Sequence, residues 1–94
     1  SNVPAQSLAL MNDPFVIGQC RLMGQNIFQT EKQKTESVIS LFEMITGTPP
    51  SPKAQETLLA FVETQTKAHG SLTEHVWADL AHVLINSKGF LFLN

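Results

Sequence analysis

Ninety-four residues supply one compact domain, and an apolar content of 43% is ordinary globular usage, which excludes a disordered chain. Only 15% of the residues are charged, where about 25% is typical, and the net charge is −2. With no basic run and a single arginine, Arg21, the chain has no electrostatic footing for a nucleic-acid backbone.

No stretch approaches the roughly 18 consecutive apolar residues of a membrane span. No basic start followed by a long apolar core marks a secretory leader. Ser1-Asn2 resembles the scar of a cleaved tag, so residues 1–94 are expected to be one helical domain cut from a larger protein. The low charge points the same way, because a small free-standing domain normally covers its surface with charge. Part of this surface is therefore expected to face other protein, in the parent chain or in an oligomer.

Pro4 to Met11 reads as a short helical segment. The first long helix opens at Asp13-Pro14, a capping acid followed by proline at the first helical position. Val16, Cys20, Met23 and Ile27 form its apolar stripe. Gly18 and Gly24 lie inside that helix at a cost of about 1 kcal/mol each, which marks them as candidate close approaches of another backbone. A second helix is expected from Thr30-Glu31-Lys32-Gln33, a capping-box pattern, with Val38, Leu41, Phe42 and Ile45 inward. Gly47 and Pro49-Pro50 stop it.

The third helix starts at Ser51-Pro52 and runs through Leu58, Phe61 and Val62 to His69, with Gly70 as its terminator. Ser71-Leu72-Thr73-Glu74, another capping box, opens the fourth. Its inner face is expected to be Leu72, Val76, Leu80, Val83 and Leu84, with Trp77 half-buried beside it. Asn86, Ser87 and Gly89 allow the chain to stop and turn, so Phe90 to Leu93 should fold back over the helices as an apolar tail. Deleting residues 90–94 is expected to lower the melting temperature. No alternating segment competes as a strand, and connections of two to six residues favour antiparallel neighbours. The fold class is all-α: a small bundle of four main helices with a short segment before them and an apolar tail.

The most suggestive constellation is His75, Asp79 and His82, spaced four and three residues apart on the fourth helix. Helical geometry places them on one stripe with Asn86, about 120° from the apolar face. That stripe reads first as a solvated polar face; as a metal site it is a weak candidate needing ligands from another helix. His69, in a last turn, suits the negative end of the helix dipole. Ser71 and His75 are four apart, as a nucleophile and base would be, but Ser71 is expected to cap and no oxyanion loop is visible. Cys20 is a lone cysteine on an apolar stripe, and no Cys-x-x-Cys-His is present for covalent haem. No catalytic residue and no cofactor is expected. Phe90, Phe92 and Trp77 are the candidate interaction surface.

Three segments carry a family resemblance: "QSLALMNDPFV" (6–16), "GTPPSPKAQE" (47–56) and "WADLAHVLINSKGFLFL" (77–93). Together they resemble the C-terminal part of the planctomycete-specific domain of unknown function, found in large proteins that often also carry cytochrome-like haem-binding segments. Thr48, Ala54 and Lys88-Gly89 depart from the usual pattern. The resemblance implies a module at the end of a larger, exported or envelope-associated protein and implies no reaction. Its partners would be the other domains of the parent chain or a separate protein. The alternative is that the fragment supplies part of an enzyme or redox site completed by upstream domains, with the His75-Asp79-His82 stripe as its contribution.

Overall fold

The structure, a computed structural model, describes residues 13–86. These form four helices and no strand: α1 (Pro14–Gln29), α2 (Lys34–Thr46), α3 (Pro52–His69) and α4 (Glu74–Asn86). The expected all-α bundle is what folds. The segment from Pro4 to Met11 and the tail carrying Phe90 and Phe92 lie outside the described residues.

Two helix starts follow the proline rule. Asp13 accepts a hydrogen bond from the Phe15 N–H at 2.8 Å, and Ser51 accepts one from the Ala54 N–H at 3.1 Å, each with proline directly after the cap. Ala54 is fully buried, and its small apolar side chain suits that position. Gly47 and Gly70 end α2 and α3 in the left-handed conformation, at φ of 84° and 86°.

The other two starts differ from the expected ones. Thr30 belongs to the end of α1, where its hydroxyl donates to the Ile27 carbonyl at 2.6 Å, so it is not available to cap α2. Glu31 then turns the chain at a φ of 54°, and α2 begins at Lys34 behind Gln33, whose side chain makes no capping bond. At α4, Thr73 rather than Ser71 takes the first free donor: its hydroxyl accepts from the His75 N–H at 3.3 Å.

The core is built from Cys20 and Ile27 of α1, Val38, Leu41 and Phe42 of α2, Leu58 and Val62 of α3, and five residues of α4. Those five are Val76, Trp77, Leu80, Ala81 and Leu84. α4 is the central helix, packing on all three others and most extensively on α1. The expected inner face of α4 is accordingly rotated. Val83 is 40% exposed, while Ala81 and Trp77 are buried. Trp77, at 2% exposure, belongs to the core instead of lying half-buried beside it. Asn86 is buried too, instead of continuing the polar stripe, and its amide donates to the His82 carbonyl at 2.9 Å.

The α1–α4 pairing is antiparallel, since Ile17 faces His82 at one end and Gln25 faces Glu74 at the other. Gly24 sets the separation. A Cβ there would fall 2.6 Å from the Glu74 carbonyl oxygen and 2.7 Å from the Ala78 nitrogen, so this glycine is a close approach as expected. Gly18 is not, because a Cβ there would meet nothing within 4 Å.

Candidate functional site

The polar stripe of α4 faces a cleft of about 290 Å³ between α1 and the C-terminal end of α3. His75, Asp79 and His82 line it from α4, and His69 from α3. Ile17, Cys20 and Arg21 of α1 form the other wall. The last turn of α3 runs past the middle of α4, which brings side chains ten and fourteen residues apart into contact. Asp79 accepts from the Gln65 amide at 2.9 Å and pairs with His69 Nε2 at 2.7 Å. A carboxylate can only accept, so Nε2 of His69 carries the proton in that contact. The His75 ring stacks on His69 with centroids 6.3 Å apart.

The sequence thus places the α4 trio correctly on one stripe but misses what joins it. His69, expected as a dipole partner at the end of α3, is also the ion-pair partner of Asp79. Both side chains are 37% exposed, and a pair so wet contributes at most about 1 kcal/mol. Its value is geometric, since the carboxylate fixes the orientation of the imidazole. Among the described residues no group of three or more His, Cys, Asp or Glu side chains converges to hold a metal ion. His75, Asp79 and His82 line the cleft without forming such a group.

Ser71 is exposed and precedes α4, and the His75 N–H is taken by the Thr73 hydroxyl. Cys20 lies at the base of the cleft, 2% exposed, and burial pushes its thiol up. A thiol shifted in that direction is a poor nucleophile at neutral pH, in keeping with a packing role.

These features define a small helical bundle with a polar cleft and a desolvated, unactivated cysteine. A family model matches residues 1–62, that of PSD1, a protein of unknown function (DUF1553), and the chain belongs to that family. The matched span takes in α1, α2 and α3 as far as Val62, together with two of the three segments that carry the resemblance. It ends before His69 and the whole of α4. No curated protein and no solved structure matches the chain. Among the described residues no helix is long and apolar enough to cross a membrane.

Proposed function

We propose that this chain is a non-catalytic interaction module, placed at the C-terminal end of a larger planctomycete protein that is exported or held at the cell envelope. The observation that supports it most is the outer face of α1. That helix has one charged residue in sixteen, Arg21, and leaves Phe15 72% and Leu22 53% exposed. The two are seven residues apart, two helical turns along one face, with uncharged neighbours. A face so poor in charge fits against protein better than against water. Its partner in this reading is the remainder of the parent chain. The terminal placement, the source and the export rest on the resemblance carried by the three segments.

The test is sedimentation of this chain mixed with the rest of the parent protein. A complex with the wild type that is lost in Phe15→Asp/Leu22→Asp, with helical content unchanged, supports the reading. No complex, or an equally stable one with the variant, refutes it.

A second reading has the cleft in its favour: part of an enzyme or redox site completed by upstream residues. His69 oriented by Asp79, with His75 stacked on it, is a pre-organised pair of imidazoles facing a cavity. An activity of the parent protein that falls at least tenfold in both His75→Ala and Asp79→Asn would favour it; no change in either would end it.

A further inference from the structure

A second cavity, of about 310 Å³, opens where the end of α1 meets the beginnings of α2 and α4. Its walls are apolar: Ile27 and Phe28 on one side, Leu72 and Trp77 on the other. Ser37 of α2 also lines it, and Glu31 and Lys32 form an exposed rim.

Two polar groups lining this cavity make no side-chain hydrogen bond to a described residue. Ser37 is 1% exposed, yet its hydroxyl makes no hydrogen bond to a described residue, and the same holds for the indole N–H of Trp77. Helical hydroxyls usually solve this by bonding to the carbonyl four residues back. Thr46, Thr57 and Thr66 all do so in this chain. Ser37 does not, and its hydroxyl is not sealed among protein atoms either, since the one fully enclosed unpartnered side-chain atom among the described residues is Asn86 Oδ1. Both residues line the cavity, and neither polar atom is fully enclosed by protein. Buried polar groups in folded proteins are nearly always satisfied by protein or by water, so these two donors are available to an acceptor that enters the cavity.

We propose that this cavity binds a small organic acid: an apolar body of about one ring with a single carboxylate. The body packs between Phe28, Leu72 and Trp77. The carboxylate accepts from the Trp77 N–H and the Ser37 hydroxyl, with the Lys32 ammonium at the rim supplying the opposite charge. Glu31 on the same rim disfavours a second negative charge on the ligand. The volume is at the lower limit of ligand pockets, about 300 Å³, and about twice that of a cavity that takes benzene. The site is independent of the polar cleft and of the outer face of α1.

Trp77 is the only tryptophan of the chain, so its emission reports directly on the site. Phenylacetate is the probe, with phenethylamine at matched ionic strength as the charge-reversed control. The expected result is a saturable change in Trp77 emission with phenylacetate, and binding at least about tenfold weaker with phenethylamine. Ser37→Ala, which removes a buried unpartnered hydroxyl and should fold normally, is expected to weaken phenylacetate about tenfold through loss of one hydrogen bond to a charged acceptor. Amide shifts of Ile27 and Ser37 provide a second readout if the indole emission is insensitive. No saturable response by either readout, equal affinity for the amine, or undiminished binding to Ser37→Ala overturns the proposal.

Discussion

Two glycine-to-alanine substitutions on α1, six residues apart, should move stability in opposite directions. Alanine is favoured over glycine in a helix interior by about 1 kcal/mol, because glycine loses more backbone entropy on folding. At Gly18 a new Cβ meets nothing within 4 Å, so Gly18→Ala should realise most of that gain. At Gly24 it would meet backbone: the Glu74 oxygen at 2.6 Å, the Ala78 nitrogen at 2.7 Å and the Ala78 Cα at 3.0 Å. Relaxed carbon contacts need about 3.5 Å or more, so α1 and α4 must part by roughly 1 Å. Overpacking costs about 1–3 kcal/mol, and backbone atoms of a helix have no rotamer to escape into, which favours the upper end. After the helix gain of about 1 kcal/mol, Gly24→Ala should lose about 1–2 kcal/mol. At about 4–8 °C per kcal/mol for a domain of this size, the two melting temperatures should lie more than ~8 °C apart. Thermal unfolding followed by far-UV circular dichroism gives both melting temperatures, and urea unfolding gives the free energies. Ala78→Gly should not rescue Gly24→Ala, because the clashing atoms of residue 78 are its nitrogen and Cα. A Gly24→Ala protein as stable as the wild type, or a rescue by Ala78→Gly, would refute this reading of the α1–α4 seam.

Ser51→Ala removes the cap of α3 and should lower stability by about 0.5–2 kcal/mol in the same assay, with the helix otherwise retained. Burial raises the Cys20 thiol, so the folded state holds that proton more tightly than the unfolded chain does. The stabilisation is complete below the unfolded thiol value, about 8.5, and is lost as pH rises through the folded value. The urea midpoint of the wild type should therefore fall more steeply above about pH 8.5 than that of Cys20→Ala; parallel curves would contradict the assignment. In neutral His69 the proton should reside on Nε2, read from long-range nitrogen–proton couplings, and Asp79→Ala should yield a tautomer mixture. A proton found on Nδ1 in the wild type would exclude the observed pairing.

The helix signals that proved legible were those backed by chain stereochemistry. Asp13-Pro14 and Ser51-Pro52 combine a side-chain acceptor with a residue whose φ is already helical, and Gly47 and Gly70 adopt angles that other residues resist. The capping boxes were weaker guides, because a threonine three residues before a glutamine can equally finish the preceding helix. Thr30 does so by turning its hydroxyl onto Ile27, and Glu31 supplies the turn in a conformation usually left to glycine. The rotation of α4 was hidden for a different reason. A one-sided stripe favours Val83 over Ala81 on hydrophobicity alone, but α4 is surrounded by three helices and buries more than one side. Where it lies against α1 at Gly24 and Ala78, separation is set by backbone contact, so small residues rank as highly as large ones.

The sites differ in legibility along the same line. His75, Asp79 and His82 share a helix, and periodicity alone groups them. Their partners His69 and Gln65 come from α3, and nothing in the local pattern announces that α3 ends beside Asp79. Ser37 and Trp77 are harder still. Each looks ordinary in sequence, one a polar residue beside the Val38 stripe and the other a large residue flanking a core face. Sequence signals report the bonds a side chain makes to its own segment, such as caps, back-bonds and i to i+4 pairs. A group that makes none of these leaves no pattern. Its significance appears only when the fold shows that it is buried, that it faces a cavity, and that a second such group 40 residues away faces the same space. If Ser37 were there only for packing, alanine would serve α2 better, since it has the higher helix propensity and no hydroxyl to desolvate. The hydroxyl at that position is therefore a feature that packing alone does not explain and that the proposed carboxylate would.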